Sequence, residues 1–76
     1  TPEDYIKMFE KQNYICGMPG CSVSVTPYTI SAHVDHCHQS GKVRAILCRN
    51  CNLTLGMYEK DMGFFKRADA YLNTYK

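Results

Sequence analysis

The sequence predicts a small α+β domain stabilised by zinc, with a two-stranded hairpin between N- and C-terminal helices. Three observations lead there. Apolar residues recur at helical spacing at both ends, a strand-like stretch around His33–Leu47 is broken by Gln39-Ser40-Gly41-Lys42, and two cysteine pairs bracket that stretch. At 76 residues the chain is a single domain. At that size an apolar core contributes only about 3–5 kcal/mol, so a metal or disulfides are expected to add to it.

The first helix is expected over Pro2–Tyr14. Thr1 suits the N-cap and Pro2 the first helical position, and Tyr5, Ile6, Met8 and Phe9 form an apolar stripe that reads as core. A Gly/Pro-rich knuckle, Cys16-Gly17-Met18-Pro19-Gly20-Cys21, follows. Val23–Tyr28 reads as loop or a short strand interrupted by Pro27. Ala32–His38 and Val43–Leu47 read as the two strands, with Gly41 where the turn requires a positive φ. A short helix is expected from Arg49 to Tyr58, closed near Gly56, and a second from Asp61 to Tyr75. In the latter, Phe64, Phe65, Ala68, Tyr71, Leu72 and Tyr75 recur at three- and four-residue steps and read as core.

Five cysteines are an odd count, which a pure disulfide framework would not use up, and no secretory signal or membrane-length apolar run is present. An intracellular, reducing setting with cysteines as metal ligands follows. The start at Thr1 rather than Met points to a processed or excerpted chain. The net charge of +2 is too mild to argue by itself for a nucleic-acid partner. Its placement says more: Lys42, Arg44 and Arg49 cluster about the hairpin, while Glu3, Asp4, Glu59 and Asp61 lie outside it in sequence.

Cys16 and Cys21 form a C-x4-C pair and Cys48 and Cys51 a C-x2-C pair, a spacing typical of four-thiolate zinc sites. A closed tetrahedral site would cross-link remote segments and leave no open coordination position, so its role is structural. Asp35, His36, His38, His33, Cys37 and Asn52 then remain to be explained. An Asp carboxylate and an Asn amide oxygen are hard ligands suited to Mg²⁺ or Mn²⁺, so a second metal of different character is implied. Asn52 follows Cys51 directly, and the zinc knuckle would fix it against the strand bearing Asp35. Beside such an ion His36 could take a proton from water, because imidazole titrates near neutrality. Adjacent strand residues face opposite ways, so either the strand is twisted or bulged at Asp35-His36 or the metal sits at its edge.

The pattern His33-x-Asp35-His36-x-His38, then Gly41-Lys42-Val43-Arg44-x-x-Leu47-Cys48-x-x-Cys51-Asn52, preceded by Cys16 and Cys21, resembles the recombination endonuclease VII family of HNH nucleases. The likeness spans about Tyr5 to Gly56, with a weaker echo in Ala70-Tyr71-Leu72. It implies a ββα-metal (His-Me finger) core over about residues 32–58 and a divalent-metal-dependent DNA endonuclease. It makes Cys16, Cys21, Cys48 and Cys51 the Zn²⁺ ligands, Asp35 and Asn52 the ligands of a catalytic Mg²⁺ or Mn²⁺, and His36 the general base. His38 and His33 become supporting residues. Cys37 stands where an acidic residue is common, and Leu55 where some relatives carry a carboxylate. Junction-resolving members continue into a long dimerising helical region, so what carries over is generic phosphodiester cleavage, with a homodimer and a phage-encoded origin both open.

Lys42, Arg44 and Arg49 are the candidate DNA phosphate contacts, while Lys66 and Arg67 read as solvated surface. A non-catalytic zinc module binding nucleic acid would have no use for Asp35, His36 and Asn52. A zinc-stapled protein-interaction domain would need an exposed apolar patch, which the aromatic C-terminal helix could supply.

Overall fold

In a computed structural model describing residues 1–76, five elements follow one another: α1 (Pro2–Lys11), β1 (His33–His36), β2 (Val43–Leu47), α2 (Arg49–Lys60) and α3 (Phe64–Thr74). α1 begins as expected, with the Asp4 N–H donating to Thr1 Oγ1 at 3.2 Å and Pro2 opening the helix. It places Phe9 in the core, with no exposed surface, and Tyr5 and Met8 against that core. The helix ends at Lys11, three residues short of expectation. Asn13 and Tyr14 turn into left-handed backbone at φ 55° and 58°. The turn lets the Tyr14 carbonyl accept from the Val25 N–H at 2.9 Å, which ties the following loop back to the helix end.

Val23–Tyr28 is loop rather than a full strand. A single antiparallel bridge joins Ile15 to Ser24, and Val25 is buried. Gly17, inside the knuckle, is required by close approach. A Cβ there would lie 2.8 Å from Ala45 Cβ, and the Gly17 N–H donates to the Ile46 carbonyl at 2.9 Å. The knuckle is therefore pressed onto the outer edge of β2.

β1 and β2 are antiparallel, pairing His33 with Leu47, Val34 with Ile46 and His36 with Val43. One residue separates Val34 from His36, whereas two separate Val43 from Ile46, so Arg44 and Ala45 together oppose Asp35. The irregularity lies opposite Asp35, but its extra residue is on β2 rather than on the strand that bears Asp35 and His36, and those two residues still differ, Asp35 buried and His36 exposed. β1 stops at His36, so His38 lies in the turn rather than on the strand. The Cys37 N–H donates to the Lys42 carbonyl, the Gly41 N–H donates to the Cys37 carbonyl, and Gly41 has φ +75°.

α2 continues through Gly56 to Lys60 and is closed at Asp61. The expected stop at Gly56 fails because a lone helical glycine costs only about 1 kcal/mol relative to alanine, too little to end a helix that packs on the hairpin. α1 packs on β2, and α2 on both strands. The core is Phe9, Val25, Ile46 and Leu47 with Cys16 and Cys48.

α3 departs most from the sequence reading. None of its residues is buried, and Tyr71, Leu72 and Tyr75 are each more than 60% exposed. The radius of gyration is 15.0 Å, against about 11 Å for a compact chain of this length. α3 therefore stands off the body. Its aromatic stripe is satisfied only locally, with Tyr58 and Phe65 ring centroids 5.7 Å apart and Phe64 and Phe65 in edge contact. The Asp61–Arg67 ion pair spans its N-terminal turn, in keeping with a surface role for Arg67.

Candidate active site and metal centre

Four cysteines meet between the knuckle and the start of α2. The Sγ atoms of Cys16, Cys21, Cys48 and Cys51 all lie within 4.8 Å of one another, and every cysteine is a free thiol. A tetrahedral ion with 2.3 Å bonds needs sulfur–sulfur edges of about 3.8 Å, so small side-chain movements would close the set on zinc. Two backbone donors already point at sulfur: the Cys48 N–H lies 3.2 Å from Cys16 Sγ and the Cys51 N–H 3.5 Å from Cys48 Sγ. Cys48 is also the N-cap of α2, so the positive end of the helix dipole faces the thiolates.

The sulfurs differ in acidity. The Cys51 N–H draws the Cys48 thiol below its ordinary range, while burial pushes Cys16 up and Cys51 up to about 12. Four crowded sulfurs cannot all ionise alone, and a dication supplies the charge that lets them. Cys37, the fifth cysteine, lies outside this cluster. The Ser40 side chain and the Ser40 and Gln39 backbone hold its thiol below the usual range.

The second group of polar residues forms around the bulge. Asp35 is 9% exposed, while the next residue, His36, is exposed. A buried carboxylate needs partners, and Arg44 provides them from the opposing bulge. Its Nε donates to Asp35 Oδ2 at 2.5 Å and its Nη2 to Oδ1 at 3.0 Å. The same guanidinium donates to Glu59 on α2, from Nη2 to Oε1 at 3.1 Å and from Nη1 to Oε2 at 3.3 Å. Arg44 holds the Glu59 carboxyl below the usual range, and the two carboxylates together raise the Arg44 pKa. His38 lies close enough to act on Glu59 in the same direction. A shallow cleft is lined by Cys37, His38, Gln39, Arg44, Glu59 and Met62.

Asp35, Arg44 and Glu59 are thus brought together from three elements. Arg44 is engaged by carboxylates rather than free at the surface, where a phosphate contact would place it. Glu59, distant in sequence from the hairpin, belongs to the group. The signal that could have found it is helical: Glu59 lies seven residues beyond Asn52, two turns along the same face.

His33 shares Asp35's side of the pleat, and its Nε2 is buried without a hydrogen-bond partner. Asn52 is half-buried on the first turn of α2, its N–H bonded to the Cys48 carbonyl at 2.9 Å. The hydrogen bonds of Asp35 go to Arg44, and none joins it to Asn52. Lys42 and Arg49 are exposed, Arg49 on the first turn of α2, where no acidic residue offsets it.

Asp35 supplies a buried carboxylate and Asn52, on the first turn of α2, an amide, the oxygen-donor types that a hard divalent ion takes. Gln12 was not singled out from sequence. Its Nε2 donates to the Ile46 and Ile15 carbonyls, each at 2.9 Å, and its Oε1 accepts from the Ile46 N–H at 2.9 Å. It satisfies the outer edge of β2 and so keeps the bulge in register.

Fold and donor set define a small α+β domain with a four-cysteine centre suited to zinc. The chain belongs to the recombination endonuclease VII family, which matches residues 1–74. It is 52% identical over 76 residues to the Gene 59 protein of Mycobacterium phage L5, an alignment covering 95% of this chain and 43% of that protein. The chain therefore spans less than half the length of this relative. No solved structure matches it. No helix is long and apolar enough to cross a membrane.

Proposed function

We propose that this chain is a DNA endonuclease domain of the ββα-metal (HNH, His-Me finger) type, hydrolysing phosphodiester bonds with one divalent ion and a histidine general base. The observation that carries the reading is the buried Asp35 at a strand bulge beside His36, on a hairpin packed against the α2 helix that begins at the thiolate centre. A domain that only bound nucleic acid would have no use for Asp35, His36 and Asn52 as a set. Family membership supports the same reading.

In this mechanism Asp35 and Asn52 would hold Mg²⁺ or Mn²⁺, which would supply neutralisation of the charge that develops on the phosphate. His36, exposed at the end of β1, accepts a proton from water as the oxygen attacks phosphorus in line and the P–O3′ bond breaks. General-base help of this kind is typically worth about 10²–10⁴ in rate. His38, in the turn, and His33, half-buried on Asp35's side of β1, support the site, and Lys42 and Arg49 hold flanking phosphates. The zinc centre takes no part in the chemistry and fixes α2 against the hairpin.

Conversion of supercoiled plasmid with Mg²⁺ or Mn²⁺, with EDTA, and with His36→Ala tests this. Cleavage is expected only with metal and to fall at least about 100-fold in the variant. Metal-independent cleavage, or a His36→Ala rate within a few-fold of the parent, would refute it.

A further inference from the structure

The buried carboxylate of Asp35 is paired with a cation, Arg44. Arg44 places one planar guanidinium between Asp35 and Glu59, with Nη2 shared by Asp35 Oδ1 at 3.0 Å and Glu59 Oε1 at 3.1 Å. The Arg44 side chain is 35% exposed, against 11% for Asp35 and 26% for Glu59. The cation is the most accessible of the three, and its long stem leaves it free to swing outward, while Asp35 sits on β1 and Glu59 on α2. Two carboxylates from different elements whose oxygens converge on a single positive group form the arrangement a metal ion also seeks. The bulge makes this possible, because it sets both Arg44 and Ala45 against Asp35.

We propose that Arg44 is the resident cation of the divalent-ion site, displaced from Asp35 when Mg²⁺ or Mn²⁺ binds, and that Glu59 is that ion's second carboxylate. The inference rests on Asp35 being a ligand of the divalent ion. Arg44 engages both oxygens of Asp35 and would repel a second cation there, so ion entry and Arg44 release are coupled. Glu59, relieved of Arg44, gains the freedom to reach the ion directly or through one of the waters that Mg²⁺ retains. The released guanidinium remains anchored on β2 beside the site, where a DNA phosphate would be its next partner. Empty protein would hold Arg44 inward and loaded protein would present it to the substrate. This reconciles its ion pairs with a phosphate-binding role.

The test is Mn²⁺ binding by calorimetry or paramagnetic resonance on the zinc-loaded chain, with fold and zinc content checked for each variant. Arg44→Gln, which retains hydrogen bonding to Asp35 without the charge, is expected to bind Mn²⁺ about tenfold more tightly than the parent, since a charge-assisted bidentate competitor is removed. Adding Glu59→Gln to Arg44→Gln should cancel that gain, because the comparison is then free of any effect exerted through Arg44. In the parent, the Arg44 Nε–H resonance should move as Mg²⁺ is added. Unchanged or weaker Mn²⁺ binding in Arg44→Gln, no effect of Glu59→Gln in that background, or an unmoved Arg44 resonance at saturation would overturn the proposal while leaving Asp35 as a ligand. Mn²⁺ binding by Asp35→Asn equal to the parent's would instead reject the divalent site itself, and the proposal with it.

Discussion

Replacing Gln12 with alanine tests whether a side chain at the end of α1 holds the strand that carries Arg44. Gln12 makes three hydrogen bonds of 2.9 Å, to the Ile46 N–H, the Ile46 carbonyl and the Ile15 carbonyl. They are not equivalent. The Ile46 carbonyl also accepts from the Gly17 N–H at 2.9 Å and stays satisfied, and Ile15 is exposed, so water can replace its partner. The Ile46 N–H belongs to a residue with no exposed surface and would lose its acceptor. An orphaned buried donor costs about 1–3 kcal/mol, and partial water entry at the half-buried Gln12 position favours the lower half, about 1–2 kcal/mol. In a domain of this size each kcal/mol moves Tm by about 4–8 °C, so Gln12→Ala should melt about 5–15 °C below the parent. The assay is thermal circular dichroism in excess zinc, so that loss of metal does not contribute. A shift under about 2 °C would show that the Ile46 N–H is rehydrated without penalty and that Gln12 does not anchor β2.

Complete zinc removal with a chelator should unfold the chain, and Cys48→Ser should behave alike, because two of the six core residues are cysteines of the cluster suited to zinc and metal-binding energies of about 10–16 kcal/mol in such sites rival a domain's whole stability. A spectrum and melting curve that survive chelation would refute the structural role. Gly56→Ala should raise stability by about 0.5–1 kcal/mol, since a Cβ there meets nothing within 4 Å and Gly56 lies inside α2. A lowered Tm would mean that the helix does not run through this position. Asp35→Ala and Asn52→Ala should each raise the Mg²⁺ midpoint for cleavage, with added metal rescuing Asn52→Ala better because the carboxylate carries the charge, whereas His36→Ala should not be rescued. Unchanged midpoints in both ligand variants would return Asn52 to helix capping. Acidification should weaken the Arg44–Glu59 pair: Glu59 titrates below its ordinary value in the folded chain, so its contribution is present above the ordinary carboxylate pKa and is lost as pH falls through the depressed one. A Glu59→Gln variant with the parent's acid-unfolding profile would show that the pair contributes nothing.

What could be read from the sequence was whatever short spacing determines. The cysteine pairs, Thr1 as cap and the positive φ at Gly41 all depend on a few consecutive residues, and each appears in the structure, whereas the irregularity expected at Asp35-His36 lies on the opposing strand. Element ends were less legible, because long-range partners decide them. α1 stops where Tyr14 bonds to Val25, and α2 runs past Gly56 because packing on the hairpin outweighs one glycine. α3 was misread because periodicity reports an amphipathic helix without reporting what its apolar face meets.

The residues missed around the site share one cause. Gln12 lies 34 positions from Ile46 and Glu59 lies 15 from Arg44, and such pairings depend on how helices dock on the hairpin rather than on any local pattern. Glu59 was within reach once α2 is continued beyond Gly56, since it then falls on Asn52's face two turns on. Counting Arg44 only as a candidate phosphate contact followed from treating each charge by its neighbours in sequence. A carboxylate buried at a bulge will take the nearest cation, and the bulge itself brings that cation from the opposing strand. The bulge therefore supplies the positive charge that Asp35 needs in order to be buried at all.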